Sequence, residues 1–189
     1  MNMLAKSIPS VTKVLAVMAN DGDFLEKVNA VGERLATALA AGHTLLIAGN
    51  GGSAAEAQHF SAEIVGHYER ERRGYSAIAL TTDTSILTAI GNDYDFRSIF
   101  ARQVEALGKS GDIFIGLSTS GNSENIIRAI EQARMQGIFT VSFLGKGGGK
   151  TKGMADVDLI VPSDETPRIQ EAHLVMIHSI CETLDIKLS

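Results

Sequence analysis

Three groups of residues carry the chemistry this chain could perform. The first lies in "AGNGGSAAEAQHFSAEIVGH", residues 48–67, where a glycine turn runs into a helical pattern bearing His59 and Glu63. Four residues apart on a helix, the two side chains project about 40° from one another and can reach a common point. His67 continues the series one turn farther and is expected to be exposed. The second group is "STSGNSEN", residues 118–125, with hydroxyls at Ser118, Thr119, Ser120 and Ser123. The third is the last helical segment, which presents Gln170, His173 and His178. Gln170 and His178 stand about 80° apart around the axis and can line one side of a cleft. A carboxylate, two imidazoles and an amide oxygen drawn from the first and third groups would suit zinc.

The first two groups suit an anion. In Gly49-Asn50-Gly51-Gly52-Ser53 the glycines permit positive φ and close backbone approach, and the helix that follows offers N–H groups and a positive dipole end. Four hydroxyls where another helix begins make a pocket of short donors fit for a phosphate ester. Ser123 serves as a helix cap there, but capping needs one hydroxyl and not four. By contrast "LGKGGGKT" only imitates a P-loop, because G-x-x-x-x-G-K-[ST] requires glycine where Leu144 stands. This stretch reads as a flexible surface turn, and no nucleotide is expected.

These groups need a frame. Short, mostly continuous apolar runs at Thr44–Gly49, Ser76–Leu80, Asp112–Ser118, Phe139–Gly145 and Asp156–Pro162 read as five strands buried on both faces, as in a parallel sheet. Helical patterns at Ala54–Ile64, Phe96–Leu107 and Glu124–Gln136 separate most of them. Two helices, over about residues 9–41, precede the first strand, with Leu25, Val28, Val31, Leu35 and Leu39 as one apolar face. A final helix starts with Thr166 as N-cap and Pro167 at its first position. The expected fold is α/β, a three-layer α-β-α sandwich around a five-stranded parallel sheet, as one domain over residues 1–189. In such a sheet ligands bind at the carboxyl ends of the strands, where both glycine- and serine-rich loops lie.

Composition narrows the function. The chain has 189 residues, 44% hydrophobic and 21% charged, with a formal net charge of −5, so it is globular and has no basic excess for nucleic acid or an anionic membrane. The lone Cys181 lies in an apolar helical pattern and reads as a buried structural thiol in a reducing compartment. With neither a leader nor a membrane segment in view, a cytoplasmic location is expected.

The motifs "GNGGSAAEAQHFSAE", "LTTDTSILTAIGNDYDF", "ARQVEALG", "GLSTSGNSENI", "GKGGG" and "RIQEAHLVMIHSICETLD" together resemble sugar isomerase (SIS) domains, and closely resemble the sedoheptulose 7-phosphate isomerase (phosphoheptose isomerase) family, from about Asp21 to the end. The resemblance implies a homotetramer with active sites shared between subunits. It also implies conversion of sedoheptulose 7-phosphate to D-glycero-D-manno-heptose 7-phosphate for surface polysaccharide. By motif position Asn50, Gly51, Gly52, Ser53, Asn92 and Asp93 contact substrate, together with Glu63 and Gln170. Ser118, Thr119, Ser120 and Ser123 hold the phosphate, and His59, Glu63, Gln170 and His178 form the catalytic and zinc site. Some members carry an acidic residue before the arginine of "RIQE", where this chain has Pro167, so no contact is carried over there.

Ketose–aldose interconversion needs a base, an acid and stabilised oxygens, and Glu63 and His178 are the candidate base and acid. Two other readings use the same scaffold. A non-catalytic SIS protein that binds a replication initiator lacks one or both of those side chains, whereas an isomerase of another phosphosugar keeps them and differs in pocket length.

Overall fold

The computed structural model describes residues 2–189. Helices α1 (Met3–Ala19) and α2 (Gly22–Ala40) come first. α1 begins well before residue 9, because the Asn2 side chain accepts from Leu4 N and Ala5 N at 3.1 and 3.4 Å, and Pro9 stays inside the helix. Asp21 caps α2 through Phe24 N at 3.0 Å. The buried face of α2 starts at Phe24 and not at Leu25, which is 49% exposed. Residues 24, 28, 31, 35 and 39 follow the helical period with steps of four, three, four and four, and Leu25 is one residue off that stripe.

The strands are β1 (Leu45–Gly49), β2 (Ala77–Ala79), β3 (Ile113–Ser118), β4 (Phe139–Leu144) and β5 (Val157–Ile160), all parallel in the order β2-β1-β3-β4-β5. Alternate residues serve opposite faces. Leu45, Ile47, Ile113, Ile115, Leu117, Val141 and Phe143 pack with α1, α2, α3 and α7, whereas Leu46, Ala48 and Phe114 pack with the α5 and α6 side. Here α3 is Gly52–Val65, α5 Ala101–Leu107, α6 Glu124–Met135 and α7 Thr166–Leu188. The three-layer α/β expectation therefore holds. The strand order reverses direction between β1 and β3, and the loops leaving their carboxyl ends open a crevice there.

Two helices differ from the pattern in sequence. Thr84–Asp93 forms α4, capped by Asp83 through Ile86 N at 2.9 Å; it buries no residue, so apolar periodicity does not mark it. Phe96–Leu107 is not continuous, because a 3-10 turn at Phe96–Ser98, bonded to Asp95, precedes α5. At the start of α7 the cap is Glu165, one residue earlier than expected, so Pro167 takes the second helical position, where its missing N–H still has no intrahelical partner to lose.

α3 and α7 run side by side in the same direction, and a buried ion pair fixes their C-terminal halves. Arg72 Nε donates to Asp185 Oδ1 at 2.8 Å, while its terminal nitrogens donate to the Glu63 and Ile64 carbonyls at 2.9 and 3.0 Å. Asp185 also accepts from Glu69 N and Arg70 N at 2.7 and 2.8 Å. Burial pushes the Asp185 carboxyl up, but the Arg70 and Glu69 N–H groups and the Arg72 guanidinium outweigh it and hold the group below the usual carboxylate range. Nearby Cys181 is fully buried; burial, then the Glu63 charge, push its thiol up to about 12, so it is no nucleophile at neutral pH.

Removing Arg72 strands a buried carboxylate, and Arg72→Met is expected to lower unfolding stability in urea by about 3–5 kcal/mol. A depressed folded value means that Asp185 stabilises above the unfolded carboxylate value of about 3.9 and ceases to do so as the pH falls below it. Asp185→Asn should therefore show a shallower loss of stability between neutral pH and pH ~3 than wild type. Parallel acid limbs in the two proteins would contradict the assignment.

Candidate active site

The turn after β1 has the shape its glycines allow. Gly51 has φ 57° and ψ −120°, open to glycine alone, and caps α3 with no side-chain hydrogen bond; Ser53 N and Ala54 N donate to the Asn50 and Gly51 carbonyls at 3.0 and 3.1 Å, so an incoming anion would meet the Gly52 N–H and the positive end of the helix dipole. A Cβ on Gly52 would overlap the Gln170 amide, so glycine at this position lets that amide lie against the turn. Ser53 is buried, with its hydroxyl 3.5 Å from Gln170 Nε2. The Asn50 side chain makes a reciprocal amide pair with Asn125, at 2.9 and 2.8 Å. That pair joins the turn after β1 to the first turn of α6.

The serine loop is held open in the same way. Ser118 Oγ donates to Ser123 Oγ at 3.0 Å, and Ser123 caps α6 without a side-chain bond to its N–H groups, so the Ser123 hydroxyl hydrogen is left to a ligand. Ser120 Oγ accepts from Asn122 N at 3.1 Å, and Thr119 and Ser120 are partly exposed. Residues 146–151 do not behave as a flexible surface turn. Thr151, fully buried, donates from N and Oγ1 to the Gly121 carbonyl at 2.9 Å each, and Lys150 N donates to Asn122 Oδ1 at 3.1 Å. Gly147, Gly148 and Gly149 use positive φ to bend this segment against Gly121, where any side chain would meet the Gly148 carbonyl. The segment clamps the serine loop.

α3 and α7 bring the remaining groups together. His59 Nε2 lies 2.9 Å from His178 Nε2, their rings edge to face, and Glu63 Oε1 lies 3.6 Å from His59 Nε2. Tyr68 stacks on His178 with centroids 5.4 Å apart; burial, then Glu69, push its phenol up, so its hydroxyl keeps its proton at neutral pH. Beside them Gly52, Ala55, Glu56, His59, Gln170 and His178 line a cavity of about 420 Å³, the size of a small-molecule site. Two zinc ligands with bonds of about 2.0–2.1 Å stand about 3.3 Å apart at a tetrahedral centre, which the 2.9 and 3.6 Å spacings bracket. The donor types therefore suit zinc, yet among the described residues no cluster of three or more His, Cys, Asp or Glu side chains is arranged to hold a metal.

Other expected residues are placed differently. Asn92 and Asp93 end α4, both exposed, with Asn92 Nδ2 bonded to Asp93 Oδ1 at 2.8 Å, and neither lines the cavity. His173 is buried behind the cavity, and His67 is exposed beyond the end of α3. Residue patterns had not pointed to Asn125, Thr151, Tyr68 or Glu56. The asparagine inside "GNSEN" was the one visible sign among them, since a polar residue in the first turn of a helix beside a loop can reach across it.

Comparison with known proteins matches this geometry. The SIS domain family model covers residues 10–145. The phosphoheptose isomerase of Geobacter sulfurreducens is 56% identical over 162 residues, 86% of each chain, and that of Clostridium acetobutylicum is 46% identical over 99% of this chain and 95% of its own. Among solved structures, the phosphoheptose isomerase of Neisseria gonorrhoeae superposes with a TM-score of 0.86 at 41% identity, covering 97% of this chain and 95% of its own. That of Francisella tularensis superposes with a TM-score of 0.91 at 36% identity, covering 98% and 100%. With a cleft at the strand-order reversal, a helix-capping serine loop and a carboxylate–imidazole group between α3 and α7, this chain belongs to the SIS domain family and, within it, to the phosphoheptose isomerases.

Proposed function

We propose that the chain interconverts sedoheptulose 7-phosphate and D-glycero-D-manno-heptose 7-phosphate through an enediol, with Glu63 as base and His178 as acid. The observation that carries this reading is the meeting of Glu63, His59 and His178 across the α3–α7 seam, beside two helix N-termini able to receive a phosphate. The serine loop holds the phosphate through Ser118, Thr119, Ser120 and Ser123, and the glycine turn of Asn50, Gly51, Gly52 and Ser53 faces the sugar. Glu63 takes the proton from carbon 1 and returns it to carbon 2, while His178 exchanges a proton with the substrate oxygens. His59, Glu63, Gln170 and His178 would hold zinc, which when bound polarises those oxygens. A carboxylate engaged with the metal is less available as a base, so Glu63 serves best when its second oxygen remains free.

The reading extends to a homotetramer with shared sites. Asn92 and Asp93, exposed and away from the cavity, sit near the exposed apolar Ile86, Tyr94 and Phe96, which suits a surface that meets another subunit. A cytoplasmic location accords with the buried reduced thiol of Cys181. Among the described residues no helix is long and apolar enough to cross a membrane.

Two variants separate binding from chemistry. Ser120→Ala with Ser123→Ala should weaken phosphosugar binding about a hundredfold or more in calorimetry, since the two hydrogen bonds to a charged group contribute about 1.5–3 kcal/mol each. Glu63→Gln should bind substrate but lose about 10²–10⁴-fold in turnover. Unchanged affinity in the first or unchanged turnover in the second removes that residue set from the site. Native mass spectrometry addresses metal and assembly together: wild type should appear as four chains carrying zinc, and His59→Ala as four chains without it. A metal-free or monomeric wild type, measured after zinc addition, would overturn the corresponding assignment.

A further inference from the structure

At the inner wall of the cavity two titratable side chains are buried with unmet polar atoms. Glu56 on α3 is 5% exposed and His173 on α7 is fully buried. Neither Glu56 oxygen has a hydrogen-bond partner, nor does His173 Nδ1, yet the two groups face each other with Nδ1 3.9 Å from Glu56 Oε2. The opposite ring nitrogen, Nε2, lies 3.3 Å from the Leu144 carbonyl, and the ring packs on Phe143. The imidazole thus stands between two acceptors. A neutral ring has one N–H, and if it donates to Leu144 its Nδ1 lone pair points at the carboxylate. One further proton satisfies both sides. Placed between Nδ1 and Glu56 Oε2, that proton gives each of these partnerless groups a partner. A buried carboxylate is also more stable beside a cation than alone.

We infer that Glu56 and His173 form a buried carboxylate–imidazolium pair that fixes the spacing of α3 and α7, making both of them positioning residues for the isomerisation. Their places in the two helices give the pair this role. Glu56 stands one turn before His59 and two turns before Glu63, and its side chain forms part of the cavity wall. His173 falls between Gln170 and His178 on α7. Attraction across the pair therefore acts on the two helix segments that bear the site, at the end of the seam opposite Arg72 and Asp185. Among the described residues neither Glu56 nor His173 makes any other ion pair, so nothing else offsets the two charges. The inference rests on the reading of His59, Glu63, Gln170 and His178 as the catalytic set.

The test uses the full chain with its histidines labelled with nitrogen-15. The chain has five histidines, and substituting the other four one at a time identifies the His173 signals. Near neutral pH, wild-type His173 should show both ring nitrogens protonated, and Glu56→Gln should show Nδ1 bare. The same variant should lose about ten- to hundredfold in kcat, as misplaced catalytic groups do, while substrate affinity moves by less than about threefold. A bare Nδ1 in wild type overturns the pair, whether or not Glu56→Gln folds. A folded Glu56→Gln with wild-type kcat overturns the positioning role. Failure of the catalytic reading is distinguishable, because it would show as unchanged turnover in Glu63→Gln and would leave the ring-nitrogen state of His173 as it is.

Discussion

The parallel seam between α3 and α7 is the contact on which the site depends. Gly52 faces Gln170, Glu56 faces His173, and His59 faces His178, each pair stepping along both helices in the same direction. Residues more than a hundred positions apart in the chain are thereby brought together, His59 and His178 at 2.9 Å and Glu56 and His173 at 3.9 Å. At one end Gly52 leaves room for the Gln170 amide, and the far end is fixed by Arg72, which bonds both Asp185 and the last carbonyls of α3. Apolar burial supplies the larger share of the attraction, through Ala57, Phe60 and Ile64 on α3 and Ile169, Ala172, Met176, Ile177 and Ile180 on α7. Burial is non-directional, however, and the polar contacts set the register.

A second constraint places the phosphate side. Strands β1 and β3 are neighbours whose following helices diverge, so the loops after them face one crevice. The Asn50–Asn125 amide pair spans that crevice, and the segment containing Thr151 supports the serine loop from behind. The chain carries a net charge of −5, so attraction for a phosphate has to be local. In the proposed site, helix N-termini and hydroxyls with an unused proton would provide it without any excess of lysine or arginine.

Much of this was legible in the residues. β1, β3 and β4 could be read because strands buried on both faces are written as continuous apolar runs; the edge strands β2 and β5, expected to be buried too, are partly exposed, with Ile78 39% open, and were legible only as short runs ended by turn residues, while His59, Glu63 and His178 could be paired because helical spacing brings side chains to one face. The errors share a physical cause. α4 lies on the surface without a buried stripe, so its periodicity is weak; Phe24 displaced Leu25 because a one-residue shift of phase still looks amphipathic. Glycines 147–149 suggested freedom, yet the segment is tied down just beyond them by Thr151, which donates twice to the Gly121 carbonyl, and residue types alone do not announce that contact. His173 shares a helix with His178 but faces inward, and only the packing of Phe143 and Glu56 distinguishes them. Arg72 and Asp185 stand 113 residues apart, beyond the reach of local patterns.

The mechanism joins these parts. In the proposed reaction the serine loop would anchor the phosphate and the carbonyl end of the sugar would reach the seam, where the Glu63 carboxylate, 21% exposed, is accessible enough to exchange its proton with solvent between turnovers. That last property separates proton transfer through an enediol from direct hydride transfer between carbons 1 and 2. The most direct measurement is nuclear magnetic resonance of the product formed by the wild-type protein from sedoheptulose 7-phosphate in heavy water. The account predicts aldose heptose 7-phosphate carrying deuterium at carbon 2, and unconverted ketose, or aldose with only hydrogen at that carbon, would contradict it.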